Sequence, residues 1–421
     1  MKRNAWLLIV VAAFAATFFA APHADLASPF PQQSGEINPE IALVGARIYV
    51  SPFTVALNNG VIIIRDGKIA AVGHKGSVHI PNGIGQLDCS GMYILAGFQD
   101  SYVHFTRPEW NDASQLPASQ LINQMQDMFT RFGFTSVVDM GSDLQNTLAL
   151  RERIESGEVP GPRILAAGTP LYPPNGVPSY IKTNLPLTML KELPQPATPA
   201  EAAREVDRQV AQGADIISLF TGSPVAPGHI VTMPLAVAQA AVAEAHKRGK
   251  LVFANPSNVT GLQIALQSHV DVIAHAIENT SGWNPDYLKQ MKDERMWFIP
   301  TLTLFMHHPN LNRILSEVHD YSQAHEDILF GTDAGRLAGY DPTNEYALMQ
   351  RAGMDFWHIL DTLTTAPATR FGQSDVRGQI KVGMNADLVV INQNPETDIR
   401  ALADVVYTFR DGRVIYSASG Q

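Results

Sequence analysis

The stretch Gly91–Phe105, G-M-Y-I-L-A-G-F-Q-D-S-Y-V-H-F, joins a short apolar run to a group of polar residues. The apolar part, residues 93–99, predicts a β-strand buried on both faces, as in a parallel sheet. Tyr102 and His104 are two residues apart, so on an extended chain their side chains face the same way. The stretch therefore predicts a buried strand with polar side chains clustered at its carboxyl end.

Strands and helices alternate from this stretch to about residue 372. The predicted strands are Tyr93–Gln99, Thr135–Met140, Arg163–Gly168, Asp215–Phe220, Lys250–Asn255, Val270–His275, Met296–Leu302 and Asp327–Asp333. The predicted helices are Ala118–Phe132, Leu144–Ser156, Thr198–Gln212, Leu235–Arg248, Gly261–Ser268 and Asn310–Gln323. Eight such strands with intervening helices predict an α/β fold, the (β/α)8 TIM barrel of ~250 residues.

Short strands and tight turns dominate both ends of the folded chain. Arg65–Gly67 and Arg410–Gly412 both read R-D-G, and Asp-Gly between apolar runs is a strong β-hairpin signal. Because two β-rich ends flank a different middle, we predict one small β-sandwich built from residues 41–91 and 376–421. The barrel is then expected over residues 92–375.

The N-terminus has the layout of a secretory signal. Lys2 and Arg3 precede an uncharged apolar run, Ala5–Ala21. Residues 1–24 are therefore predicted to be a signal peptide or, alternatively, an N-terminal membrane anchor, with residues 25–40 as a loose leader. The protein is expected to be exported, either periplasmic or secreted.

Composition excludes several classes of function. The chain has 421 residues, 45% hydrophobic and 17% charged, with a net charge of -10. A negative charge without basic clusters argues against nucleic-acid binding. Cys89 is the single cysteine, which excludes an intrachain disulfide and a cysteine-based zinc site. The expected partner is a small-molecule substrate or ligand, and a homo-oligomer stays open.

Active sites of TIM barrels lie at the carboxyl ends of the strands. The polar residues predicted there are Asp100, Tyr102, His104, Ser218, Asn255, His275 and Asp333. Imidazole and carboxylate groups are ligands that zinc takes, so His104, His275 and Asp333 form a candidate metal-binding set. Alternatively, both histidines belong to the core, and Asp333 caps a turn or pairs with a protonated histidine. Asp100 is expected to be structural and to bond backbone amides.

Several motifs together resemble the amidohydrolase superfamily, the metal-dependent hydrolases of the imidazolonepropionase and prolidase-like type. Besides the stretch quoted first, the motifs are G-A-D-I-I-S-L-F-T-G-S at 213–223, A-H-K-R-G-K-L-V-F-A-N-P-S-N at 245–258, V-D-V-I-A-H at 270–275, L-F-G-T-D-A-G at 329–335 and L-T-T-A-P-A-T-R-F-G at 363–372. G-Q-I-K-V-G-M-N-A-D-L-V-V-I at 378–391 is similar to the family's exit from the barrel into the sandwich. The resemblance covers nearly all of the mature chain.

The resemblance implies hydrolysis of a C–N bond, in an amide or cyclic amide, by metal-bound hydroxide. It also implies metal ligands at six positions. His104, His275 and Asp333 match the family, and Asp333 would be the catalytic base. The other three ligand positions are substituted, by Tyr102 for a histidine, Ser218 for a carboxylated lysine and Asn255 for a histidine.

The three substitutions weaken metal binding. A phenol with a pKa of ~10 ligates well only after losing its proton. The Asn255 carboxamide is a weaker zinc ligand than imidazole, and Ser218 is too short to bridge two metals. We therefore expect either one weakly held divalent ion, zinc or manganese, on His104, His275 and Asp333, or none. The alternatives are C–N bond hydrolysis, a catalytically inactive small-molecule-binding barrel, and metal-free acid–base chemistry.

Other candidates lie in predicted loops. His307 and His308 follow the seventh strand, with His319 and His325 further on, and all four are expected at the surface or in loops. The long Pro-rich segment Pro170–Pro196 is expected to cover one end of the barrel. Aromatic residues in loops near that end either line a pocket or only pack there. They are Trp110, Tyr172, Tyr180, Trp283 and Tyr340.

Overall fold

The computed structural model of the protein describes residues 40–183, 187–278, 282–284, 286–324, 327–337 and 339–418. The predicted signal peptide, nearly all of the predicted leader, and His325 lie outside these described residues. Within the described ranges, no helix is both long enough and apolar enough to cross a bilayer.

Seventeen strands and twelve α-helices are formed by the described residues. The strands are β1 Ile41–Ile48, β2 Leu57–Arg65, β3 Lys68–His74, β4 Gly85–Asp88, β5 Tyr93–Ala96, β6 Phe98–Val103, β7 Phe134–Asp139, β8 Arg163–Ala166, β9 Ile216–Leu219, β10 Gly222–Ala226, β11 His229–Thr232, β12 Leu251–Ala254, β13 Val272–Ala274, β14 Trp297–Ile299, β15 Leu388–Ile391, β16 Val405–Arg410 and β17 Arg413–Ser417. The helices are α1 Ala118–Met128, α2 Leu144–Glu155, α3 Ser179–Lys182, α4 Leu187–Glu192, α5 Pro199–Ala211, α6 Leu235–Lys247, α7 Val259–Gln267, α8 Asp286–Asp293, α9 Leu311–Ala324, α10 Thr343–Arg351, α11 Phe356–Leu363 and α12 Thr365–Arg370.

The two chain ends share one sheet, as the sequence predicted. Its strand order is β17-β16-β15-β5-β1-β2-β3, and β4 pairs with β1. Both Asp-Gly turns close two-residue hairpins, with Asp66 at φ 51° and Asp411 at φ 49°. Glycine follows each aspartate because the second residue of such a turn also has positive φ. The sheet packs around its own apolar core, which includes Leu43 and Phe409.

The barrel consists of two runs of parallel strands that single bridges connect. One run is β6-β7-β8 and the other is β9-β12-β13-β14. The eighth position is an extended segment, residues 327–334, rather than a regular strand. The connecting bridges are Ala167–Ile216, Phe298–Ile328 and Val103–Ala334. The predicted TIM barrel is confirmed, and the strand predicted at Asp327–Asp333 is corrected to an irregular segment bonded on both sides.

The predicted strand Tyr93–Gln99 is also wrong in its bounds, because the chain leaves the small sheet within it. β5 pairs with β1 and β15 in that sheet, whereas β6 begins the barrel. The break falls at Gly97, where a Cβ atom would lie 2.4 Å from Oγ1 of Thr135. Only glycine fits that close approach of the two chain segments.

The six predicted helices are confirmed to within a few residues. Elements that the sequence analysis did not predict are the β10–β11 hairpin and the helices α3, α4, α8 and α10–α12. The Pro-rich segment 170–196 carries α3 and α4 and lies against the carboxyl end of β9. Leu171 N donates to Ser218 O at 2.9 Å, and Phe220 N donates to Leu171 O at 2.9 Å.

Candidate active site at the barrel mouth

The three residues predicted to replace metal ligands are buried at the carboxyl ends of the barrel strands. Tyr102 belongs to β6, Ser218 to β9, and Asn255 directly follows β12. Their relative exposures are 2%, 0% and 2%, and that of Asp333 is 0%. The predicted site residues therefore lie inside the barrel rather than on its surface. The region that contains Tyr102, His104, Ser218, Asn255, His275 and Asp333 is called the barrel mouth.

Tyr102 bonds directly to Asn255. The Tyr102 hydroxyl donates a hydrogen bond of 2.8 Å to Asn255 Oδ1, and Asn255 Nδ2 donates to Leu219 O at 3.3 Å. Burial, with Asp333 acting in the same direction, raises the pKa of Tyr102 well above its ordinary value. The phenol is therefore a protonated donor, and the amide oxygen that could have ligated a cation is already occupied.

The Tyr102 ring also contacts both histidines of the site. Its centroid lies 5.4 Å from that of His104 and 4.5 Å from that of His275, with edge-on geometry in both cases. The three rings thus form one group of edge-on contacts that includes the phenol. Each imidazole packs against this phenol, which stands at a position where the resemblance implies a third imidazole.

His275 is held as a neutral imidazole. Its Nδ1 lies 2.7 Å from Oγ1 of Thr301, and that hydroxyl donates to Pro300 O at 2.8 Å. Because the single hydroxyl proton is used there, Nδ1 of His275 must carry the proton that joins the two side chains. Burial lowers the pKa of His275 to about 4, against the opposing effect of Asp333. The lone pair is then on Nε2.

His104 and Asp333 form the closest imidazole–carboxylate contact of the site. His104 Nε2 lies 3.2 Å from Asp333 Oδ1, and neither Asp333 oxygen has a partner with regular hydrogen-bond geometry in the described structure. Burial alone would raise the pKa of Asp333, yet contact with His104 and the nearby His275 and Arg336 together hold it below its ordinary value. Asp333 is therefore a buried carboxylate that depends on His104 first and on the two other groups second.

The backbone is left-handed at three residues of the mouth. His275, Thr301 and Asp333 have φ values of 67°, 44° and 57°. Non-glycine residues adopt this conformation rarely, and such residues cluster at functional sites. Three such residues together at the barrel mouth are typical of a functional site.

The sequence model of the amidohydrolase family matches residues 93–415, well over half of the chain. The chain belongs to the amidohydrolase family. This result confirms the resemblance inferred from the motifs, and it supports a hydrolase acting on carbon–nitrogen bonds as the functional class.

Solved structures show the same amidohydrolase fold. A Xaa-Pro dipeptidase with methionine bound in its active site is 22% identical, with a TM-score of 0.77, 90% of this chain and 100% of that chain covered. Molinate hydrolase is 19% identical, with a TM-score of 0.73 and coverages of 89% and 94%. An ochratoxinase from A. niger is 18% identical, with a TM-score of 0.73 and coverages of 90% and 96%. No curated protein sequence matches the chain.

The family's metal centre does not fit the residues of this amidohydrolase. Among the described residues, no group of three or more His, Cys, Asp or Glu side chains is arranged to hold a metal ion. Asn255 Oδ1 accepts from Tyr102, and Ser218 Oγ is buried without a partner in the described structure. The set His104, His275 and Asp333 is brought into one cluster, yet the Tyr102 ring packs edge-on against both of its imidazoles.

Sequence reasoning missed the cation beside Asp333. Arg336 Nε lies 3.7 Å from Asp333 Oδ2, and the guanidinium stacks 3.7 Å from the ring centroid of Tyr180. Asp333 and Arg336 are three residues apart in the motif G-T-D-A-G-R, and this short spacing was the sequence feature that could have predicted the contact. Glu345 was missed as well; it accepts from Leu302 N and Thr303 N, both at 2.7 Å, just beyond the Thr301 that orients His275.

Asp100 has the structural role expected of it. It accepts from Tyr102 N at 3.1 Å and from the Thr332 hydroxyl at 2.6 Å. Burial raises the pKa of Asp100 to about 7. The carboxyl thereby ties β6 to the segment that carries Asp333.

The other predicted candidates are spread around the mouth. His307 is exposed, and His308 Nε2 contacts Glu278 Oε1 at 3.2 Å. Trp110 packs in the core against Phe105, with centroids 5.0 Å apart. The remaining loop aromatics are a buried Tyr172, the Tyr180 that stacks on Arg336, a half-buried Trp283 against Tyr287, and Tyr340 under Arg107.

An open cleft of about 650 Å³ lies beside α3, which carries Tyr180. Its walls include Ser179, Glu278, His308 and Arg313.

Proposed function

We propose that this amidohydrolase-family protein binds a small amide-containing molecule at the barrel mouth and does not perform metal-dependent hydrolysis. The observation that carries the proposal is the hydrogen bond from Tyr102 to Asn255. It joins two positions that the family resemblance assigns to histidine ligands. Two side chains that already hydrogen-bond to each other are poorly suited to hold a cation.

The chemistry of the mouth suits recognition. Tyr102, Asn255 and Ser218 are neutral groups that donate and accept hydrogen bonds, and a few such groups in an otherwise apolar pocket give specificity. Family membership supports a compound with a carbon–nitrogen bond as the ligand. The similar dipeptidase structure holds methionine in its active site, which supports a ligand of amino-acid size.

A second candidate function is C–N bond hydrolysis, either with one divalent ion near His104, His275 and Asp333 or without metal. One observation favours it. Both Asp333 oxygens and Nδ1 of His104 are buried without a hydrogen-bond partner in the described structure. Buried polar groups without partners are uncommon, and each calls for a functional explanation.

Calorimetric titration combined with product analysis separates the two functions. The full-length protein is titrated with N-acetylated amino acids and dipeptides, after chelator treatment and again after addition of zinc or manganese. We expect saturable binding in both states and no product above the buffer control. Turnover that requires added metal and disappears in Asp333→Ala would establish the hydrolase instead. Turnover in chelated protein would point to metal-free chemistry.

A further inference from the structure

Arg336 supplies a fixed positive charge where the family resemblance implies metal. Its Nε lies 3.7 Å from Asp333 Oδ2, on the carboxylate that His104 contacts through the other oxygen. The Asp333 side chain has no exposed surface, whereas 34% of the Arg336 side chain is exposed. Arg336 therefore contacts the buried Asp333 carboxylate and is at the same time partly accessible from outside the barrel.

The guanidinium of Arg336 stacks on an aromatic ring. Tyr180 belongs to α3 in the Pro-rich segment, and its ring centroid lies 3.7 Å from Cζ of Arg336. The Tyr180 side chain also hydrogen-bonds to Arg336, and a guanidinium with five N–H donors in one plane still has donors left for a ligand. The two contacts with Tyr180 restrict the orientation of the guanidinium.

The backbone that carries Arg336 is also fixed. Arg107 Nε donates to Gly335 O at 3.0 Å, and a second nitrogen of Arg107 donates to Leu337 O. Gly335 has a φ of 95°, and a Cβ atom there would lie 1.9 Å from the His104 carbonyl oxygen. The turn is therefore pinned on both sides of Arg336, so the cation is positioned before a ligand arrives.

We propose that Arg336 anchors the carboxylate of the ligand at the barrel mouth. A planar guanidinium pairs with carboxylate through two parallel hydrogen bonds, which gives both affinity and orientation. The ligand class is then an N-acylated amino acid or a similar amide with a free carboxylate. This inference rests on the proposed function and specifies which end of the ligand faces Arg336.

Matched acids and amides test the inference. N-acetyl-L-proline and N-acetyl-L-prolinamide, with the corresponding methionine and phenylalanine pairs, differ only in the carboxylate. Titration of the full-length protein should show the acid of the preferred pair binding at least about tenfold more tightly than its amide. In Arg336→Met this preference should fall to about onefold, and Arg336→Lys should restore part of it.

Arg131→Met is the control, because Arg131 precedes the amino end of β7 and pairs with the exposed Asp127 rather than with Asp333. It should keep the preference for the acid. Equal binding of acid and amide by the wild type, or a preference that survives in Arg336→Met, would overturn the carboxylate assignment and leave the proposed function standing. Absence of binding by every probe, in protein with a normal circular dichroism spectrum, would overturn both.

Discussion

The hydroxyl of Tyr102 donates a 2.8 Å hydrogen bond to Oδ1 of Asn255, which joins the first barrel strand to the end of the fifth. Both side chains are buried, and the phenol ring contacts both His104 and His275. The two side chains thus satisfy each other's hydrogen-bonding groups inside the barrel. One change without the other would leave a buried polar group unpaired.

Removing the Tyr102 hydroxyl should therefore destabilise the protein. Tyr102→Phe leaves Asn255 Oδ1 buried without a donor, at an expected cost of about 1–3 kcal/mol in the free energy of unfolding. A double-mutant cycle with Asn255→Leu, followed by urea unfolding, should give a coupling energy of about 1 kcal/mol. Strictly additive effects would mean that the two side chains do not interact in solution.

Gly335→Ala should disrupt the turn between Asp333 and Arg336. Gly335 has positive φ, and the added Cβ would lie 1.9 Å from a backbone oxygen of His104. We expect a loss of more than about 2 kcal/mol in unfolding free energy. Gly339→Ala is the matched control, since a Cβ there meets nothing within 4 Å. Similar unfolding midpoints for the two variants would show that the turn is not constrained as described.

Motifs in the sequence were enough to predict the barrel, because strand ends carry a local pattern, whereas the assignment of Tyr102, Ser218 and Asn255 to substituted ligand positions stays a prediction. The partnership of Tyr102 with Asn255 could not be read in that way. It depends on how strands 153 residues apart are placed by closure of the barrel. The proton on Nδ1 of His275 likewise depends on Thr301, whose hydroxyl is committed to Pro300 only in the folded chain.

Arg336 shows a different limit of sequence reasoning. Its spacing from Asp333 was visible, but an arginine in a loop is usually a solvated charge. The deciding neighbours are Tyr180 and Arg107, which lie far from it in the chain. The split of the predicted strand at Gly97 was missed because an apolar run does not reveal which of two sheets it joins.

Asp387 should be important for joining the barrel to the small sheet. It accepts from Arg163 Nη1 at 2.6 Å, lies 3.6 Å from Arg377 Nε, and is only 4% exposed. Asp387→Ala leaves these arginines without their shared counter-ion, at an expected cost of about 3 kcal/mol. Arg131→Ala breaks the exposed Arg131–Asp127 pair and should cost less than about 0.5 kcal/mol. Urea unfolding measures both, and equal midpoints would contradict the assigned role.

Glu317 on α9 should make stability depend on pH. Burial raises the pKa of Glu317 to about 8, although Arg313 acts in the opposite direction. From the pKa of an unfolded glutamate, about 4.3, up to pH 8 the folded state keeps the proton and the unfolded state releases it. The stabilising contribution is complete at lower pH and is lost as the pH rises.

Glu317→Gln removes this titration. Relative to wild type, the variant should therefore gain stability between pH 5.5 and pH 8, by roughly 3 kcal/mol, because each pH unit in this window corresponds to about 1.4 kcal/mol. The exposed Glu152→Gln serves as control and should follow the wild type at both values. Thermal unfolding at the two pH values provides the comparison, and a constant difference between Glu317→Gln and wild type would contradict the assignment.

Counting the metal ions bound per chain is the most direct test of the proposal that hydrogen bonds, and not a metal ion, hold the side chains of the barrel mouth together. Wild-type protein and the triple variant Tyr102→His, Ser218→Lys, Asn255→His are purified from zinc-supplemented cells and measured by plasma mass spectrometry. We predict well below one ion per chain in the wild type, on the order of background, and a clear gain in the triple variant. Near-stoichiometric zinc or manganese in the wild type, lost in Asp333→Ala, would contradict the proposal.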